Sequence, residues 1–146
     1  MQSFELVPTG QRLTDLVYAA GYLDAEGCFR FHRTPTVTVT NTYPYTLMFL
    51  RAMFGGSIRT KPEVPNSRTA YEWCAFGDNA RNCIKRVLPF LREKKPQAEI
   101  LTELLLYPPK SVRRKRLTKL LSEKKRIDYT ATRMSKETAW TSNERC

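Results

Sequence analysis

Ala19-Ala20-Gly21-Tyr22-Leu23-Asp24-Ala25-Glu26-Gly27 is the stretch on which the reading of this chain turns. Behind it, Leu13–Leu23 reads as a helix, with Thr14 and Asp15 supplying polar groups near its start. Val17, Ala20, Gly21 and Asp24 fall at i, i+3, i+4 and i+7, so they share one helical side. Small residues at that spacing let a second backbone approach closely. Gly21 costs about 1 kcal/mol of helix propensity relative to alanine, and close packing is the simplest compensation. Gly27 ends the helix, which leaves Asp24 and Glu26 at its negative C-terminal end, an unfavourable place for two carboxylates. A cation would reverse that sign. Mg²⁺ takes one or two carboxylates with carbonyls, waters and phosphate oxygens, and Glu26 with the Ala25 carbonyl offers such a set. An exposed acidic pair before a turn is the plain alternative.

Beyond Gly27 the period changes from helical to two. Cys28–Arg33 sets Phe29 and Phe31 against Cys28, Arg30 and His32, and Thr36–Thr40 sets Val37 and Val39 against Thr36, Thr38 and Thr40. Two such runs joined around Thr34-Pro35 predict a hairpin. Pro44 and Thr46 precede a second helix with Leu47, Leu50, Met53 and Phe54 on its stripe, stopped by Gly55-Gly56. Ser57–Lys61 reads as a third strand, Pro62–Arg68 as a turn region and Thr69–Phe76 as a fourth strand with apolar residues on both sides. Asp78 or Asn79 is expected to cap a third helix carrying Cys83, Ile84, Val87 and Leu88, interrupted by Pro89. Pro96 suits the first position of a fourth helix, and Val112–Ile127 reads as a fifth, basic one. The order is αββαββα followed by helical additions, an α+β class. Residues 1–12 read as an irregular leader, 13–109 as the core, 110–127 as a basic helix and 128–146 as a polar, disordered tail.

Charge points to a polyanionic partner. The net charge is +11, and it is uneven: residues 1–109 carry +3 and residues 110–146 carry +8. Such a basic excess fits nucleic acid, or a solvated tail that aids solubility. No apolar run approaches the roughly 18–20 residues of a membrane span, and no secretory signal is visible in MQSFELVPTGQR. Cys28, Cys74, Cys83 and Cys146 form no CxxC pair, and His32 is the only histidine. Neither a zinc site nor a disulfide framework is expected, and the thiols read as reduced in an intracellular setting.

Ala19–Gly27 resembles the LAGLIDADG motif of homing endonucleases, departing at Ala19, in place of Leu, and at Glu26, in place of the commoner Asp. The resemblance extends in order through Val39-Thr40-Asn41-Thr42, Phe54-Gly55-Gly56-Ser57-Ile58, Tyr71–Gly77 with Trp73, Leu88-Pro89-Phe90-Leu91, Lys94 and Gln97-Ala98. It covers roughly residues 13–106. It implies a homing-endonuclease-like fold with a curved antiparallel four-stranded sheet and C-terminal helices. It also implies hydrolysis of double-stranded DNA with Mg²⁺, or Mn²⁺ in its place. Glu26 would be the metal carboxylate with the Ala25 carbonyl nearby. Asn41 would orient the attacking water, or serve only as a turn former, and Lys94 would lie near the scissile phosphate, or be one of three solvated charges with Arg92 and Lys95. Asp24 would close the helix–helix contact. One motif in a short chain implies a homodimer through Val17, Ala20, Gly21 and Asp24, and two-fold symmetry implies a pseudo-palindromic site.

On that reading the DNA-facing residues are Cys28, Arg30 and His32 of the first strand, Thr36, Thr38 and Thr40 of the second, and Arg59 and Lys61 of the third. Arginine to guanine is the commonest specific major-groove contact, although an ordinary exposed strand face would look the same. Arg113–Arg116, Lys119 and Lys124–Arg126 would add phosphate contacts, which position without specifying, or form a nuclear-localisation-like run. Competing readings are an RNA-splicing maturase with intron RNA as partner, a non-cleaving DNA-binding protein of the same fold, and an unrelated basic assembly protein.

Overall fold

The computed structural model describes residues 12–125. The leader up to residue 11, the last two residues expected in the basic helix and the tail from residue 128 lie outside the described residues. Nine elements follow one another: α1 Leu13–Glu26, β1 Gly27–His32, β2 Thr34–Asn41, α2 Pro44–Phe54, β3 Ser57–Thr60, β4 Tyr71–Phe76, α3 Gly77–Val87, α4 Lys95–Leu104 and α5 Val112–Lys125. A short 3-10 turn, Leu88–Phe90, joins α3 to the segment before α4. The strands form one antiparallel sheet in the order β1-β2-β4-β3.

Local chemistry sets the element ends. α1 runs three residues past the expected Leu23 and passes into β1 with no loop. The Gly27 N–H bonds to the Leu23 carbonyl, and a Cβ on Gly27 would sit 2.5 Å from that oxygen, so a residue with a side chain does not fit. The hairpin turns at Arg33, at φ 62°, and not around Thr34-Pro35. Pro35 lies inside β2 opposite Phe31, one residue before pairing with β4 begins, a strand end where a missing N–H is tolerated. Pro44 opens α2 instead of preceding it. β4 starts at Tyr71, although the Ala70 carbonyl still accepts the Lys61 N–H at 2.8 Å. Neither Asp78 nor Asn79 caps α3: its N-cap is Phe76 with no side-chain bond, and Asp78 instead takes Arg81 at 2.8 Å. Lys95, with Pro96 next, begins α4.

Helices cover one face of the sheet. Phe29, Val37, Val39, Trp73 and Ala75 point into the core and meet Leu23, Leu47, Leu50, Ile84, Val87, Leu101 and Leu104. Register resolves the ambiguous fourth strand: Trp73 stands opposite Val39 and Ile58, is fully buried, and donates its indole N–H to the Gly55 carbonyl at 2.9 Å. Cys74 and Phe76 therefore turn to the open face. Gly56 has φ 88°, and a Cβ there would strike the Cys74 carbonyl, which lets the α2–β3 turn lie against β4. α5 packs on α4 through Leu117 and Leu121.

One clasp ties the end of α1 to the chain between Leu91 and α4. The Asp24 carboxylate accepts the backbone N–H groups of Arg92 at 2.9 Å, Glu93 at 3.1 Å and Lys94 at 2.8 Å. The Lys94 ammonium donates in return to the Asp24 carbonyl, a cation at a helix C-terminus. Burial alone would raise the Asp24 carboxyl; the three N–H donors and the Lys94 charge outweigh it and hold it below the ordinary carboxylate range. A depressed carboxyl contributes stability above the usual Asp range and loses it as pH falls through the folded value. We expect Asp24→Asn to cost about 1–2 kcal/mol at pH 7, allowing for solvent screening. In urea titrations the gap to wild type should shrink below about pH 4; a gap that stays constant down to pH 2 would rule this account out.

Candidate functional site

The face of the sheet that no helix covers among the described residues gathers the expected contact residues of the strands. Arg30 pairs with Thr36, Cys28 with Thr38, and His32 with Thr34. Thr36 stands opposite Phe76, Thr38 opposite Cys74, and Thr40 opposite Glu72, which also pairs with Arg59. Arg30, His32, Thr40 and Arg59 are exposed, while Cys28, Thr36, Thr38 and Lys61 are half-buried. All eight expected contact residues thus share one face. Glu72 was not foreseen among them. It is buried, and its carboxylate takes Arg59 Nε at 2.7 Å and Lys61 Nζ at 3.5 Å. Burial would raise Glu72, but the Arg59 bond and the Lys61 charge bring it below its ordinary range. Two-residue alternation around an inward Trp73 is the signal that could have found it.

At the edge of this face, α1 delivers Ala25 and Glu26, both exposed. The Asp24–Lys94 clasp brings the Lys94 ammonium onto the same helix end. Asn41, at the end of β2, reaches the helix from the other side: its Nδ2 donates to the Tyr22 hydroxyl at 2.7 Å, and its Oδ1 accepts the Tyr43 N–H at 3.0 Å. Burial raises the Tyr22 phenol; the Asn41 bond works against the rise, and the Glu26 carboxylate adds to it. Glu26, Lys94 and Asn41, scattered over 69 residues of sequence, therefore converge on the last turn of α1. Tyr22 joins them, and no pattern in the sequence singled it out.

The expected contact face of α1 needs correcting. Val17 and Gly21 are exposed, but Ala20 is only 1% exposed and belongs to this chain's own core. Asp24 accepts three backbone N–H groups from residues 92–94 of the same chain, an internal contact that the helical spacing did not foresee. The apolar side left open is Leu13, Val17, Gly21 and Ala25, one residue every four. A Cβ on Gly21 would meet nothing within 4 Å.

The basic helix is also partly spoken for. Arg113 pairs with Glu103 at 2.6 Å. Arg114 donates to the Tyr107 carbonyl at 3.1 Å and lies 4.6 Å over the Phe31 ring. These two dock α5 onto α4 and β1, which leaves Lys115, Arg116, Lys119 and Lys124 facing outward.

For a divalent cation, Glu26 and Ala25 offer one carboxylate and one backbone carbonyl. Among the described residues no three His, Cys, Asp or Glu side chains cluster, so one chain offers the Glu26 carboxylate beside Ala25. Mg²⁺ accepts one or two carboxylates provided phosphate oxygens and waters complete the shell.

No family model and no curated sequence relative matches the chain. Solved structures do. The homing endonuclease I-CvuI in complex with its target superposes with a TM-score of 0.59 at 20% identity, over 75% of this chain and 85% of that one. I-CvuI with the I-CreI target gives 0.54 at 19% identity, over 75% and 78%. The archaeal intron-encoded homing endonuclease I-Vdi141I, complexed with DNA, gives 0.60 at 21% identity, over 76% and 84%. This likeness is one of fold: the chain is built on the homing-endonuclease-like fold.

Proposed function

We propose that this protein is a site-specific endonuclease that hydrolyses double-stranded DNA as a homodimer with Mg²⁺ or Mn²⁺. The observation that carries the reading is the exposed Glu26 at the end of α1, the helix to which both Lys94, through the Asp24 carbonyl, and Asn41, through the Tyr22 hydroxyl, are bonded. DNA bound in the similar structures supports the choice of partner.

The work divides as follows. A divalent ion, when bound by Glu26 with the Ala25 carbonyl, would supply a Lewis acid and lower the pKa of water. Lys94 places a positive charge where the pentavalent phosphate gains negative charge, a stabilisation worth more in the transition state than in the ground state. Asn41 keeps one amide N–H beyond its Tyr22 bond, enough to orient a water. Arg30, His32 and the threonines of β2 read base edges in the major groove, where donor patterns distinguish all four base pairs. Arg59 of β3 and Lys61 just beyond it do so as well, braced by Glu72. Lys115, Arg116 and Lys119 add phosphate contacts that weaken as salt rises. Incubating the protein with a random-sequence duplex library and Mg²⁺ or Mn²⁺ tests this directly. A defined subset should be cut on both strands, and Glu26→Gln should abolish cutting, by at least about 10³-fold, while DNA binding persists. Binding without cutting by the wild type would instead establish a non-cleaving nucleic-acid-binding protein of this fold.

The open stripe of α1 supports the homodimer. Leu13 and Val17 are 64% and 47% exposed, and beside them Gly21 lets a second helix approach closely. Pairing two such stripes brings two Glu26 carboxylates to one axis, one per DNA strand. Because Ala20 lies in the core, enlarging it would damage folding and dimer together; Gly21 is the cleaner probe. We expect Gly21→Arg to turn a dimer into a monomer in sedimentation equilibrium. Its far-ultraviolet spectrum should be unchanged, and its intrinsic helix propensity should rise by about 0.5–1 kcal/mol. A dimer that survives Gly21→Arg would remove this interface from consideration.

A further inference from the structure

The Asn41 amide is oriented by an unambiguous donor. The Tyr43 backbone N–H can only donate, and it meets the amide at 3.0 Å, so the atom facing it is Oδ1. The other atom, Nδ2, then faces the Tyr22 hydroxyl at 2.7 Å. Both ends of the amide are held, and neither rotation nor flipping is free. The Tyr22 oxygen accepts in this bond, so its own proton remains for a second acceptor.

The ring that carries this hydroxyl is itself fixed. Tyr22 packs against the hydrophobic core and stacks on Tyr18, whose ring meets Phe49 edge-on. Tyr22 is on the same last turns of α1 as Glu26, four residues earlier, so the two side chains are helical neighbours. β2 and α1 are thus joined by one side-chain bond, between the residue that would orient water and the helix that would hold the metal carboxylate.

We propose that Tyr22 is a positioning residue for phosphodiester hydrolysis: its hydroxyl holds the Asn41 amide, and the water that amide binds, in register with the Glu26 carboxylate. The proposal rests on the nuclease reading above. It does not require Tyr22 to touch DNA or metal. Deleting the hydroxyl leaves the ring and its packing in place, so fold, dimer and DNA affinity should hold, while the amide gains freedom that only the reaction step senses.

The test uses single-turnover cleavage of a duplex selected from the random library, with Mg²⁺. We expect Tyr22→Phe to lower the cleavage rate constant about 10-fold, the size of one well-placed hydrogen bond, with the Kd for the duplex and the Mg²⁺ midpoint unchanged. Asn41→Ala should lose at least as much, and the double variant no more than Asn41→Ala alone, since the two act through one contact. Tyr22→Phe at the wild-type rate, multiplicative effects in the double variant, or a loss confined to DNA affinity would each overturn the proposal. If Tyr22→Phe fails to fold, the proposal is overturned in favour of a structural tyrosine. These outcomes are read only against a wild type that cuts; a wild type that binds and does not cut overturns the nuclease reading and this proposal with it.

Discussion

The exchange between Asp24 and Lys94 is the constraint on which the candidate site depends. An acid near the C-terminal end of a helix is electrostatically misplaced, and here it is satisfied by three backbone N–H groups from the segment leading into α4. Those donors have no helical partners, because the segment lies between the 3-10 turn at Leu88–Phe90 and the start of α4. The same contact returns the Lys94 ammonium to the α1 carbonyl end. One carboxylate thereby fixes where the fourth helix begins and where a positive charge stands relative to Glu26.

Much of this was legible in the sequence, for definite reasons. The switch from helical spacing to strict alternation at Gly27 marks α1 and the hairpin, and Gly55-Gly56, Pro89 and Pro96 mark the later boundaries. The polar set on β1 to β3 followed from alternation alone, because Phe29, Val37, Val39 and Ile58 declare the inner side. What spacing does not disclose is where a helix's buried arc begins. Val17, Ala20, Gly21 and Asp24 do share a side, yet the edge of the core runs through it, with Ala20 within and Val17 and Gly21 outside. Small residues suit both environments, so their identity gives no clue to the boundary.

Two other features were hidden because the chemistry of the side chain has two uses. β4 carries apolar residues on both faces, and only pairing with Val39 and Ile58 assigns Trp73 to the core. Arg113 and Arg114 look in sequence like phosphate ligands in a basic run, whereas their planar guanidinium groups are spent on Glu103, Tyr107 and Phe31. Arginine serves stacking and anion recognition alike, and a charge count cannot separate them. Lysines in the same run remain exposed, consistent with their preference for hydrated positions.

Glu72 sets an order on how the open face can change. Its buried carboxylate is neutralised jointly by the solvent-facing Arg59 and Lys61, and a buried charge left without its partners is costly. Substitutions at 59 and 61 are therefore not independent of each other or of 72. A lineage altering the β3 end of the sheet would pass more easily through a neutral residue at 72 first. By contrast β1, at the opposite edge, carries the exposed Arg30 and His32, neither of them ion-paired to a carboxylate among the described residues. The two edges of one sheet thus differ in evolvability: one drifts residue by residue, the other only in concert.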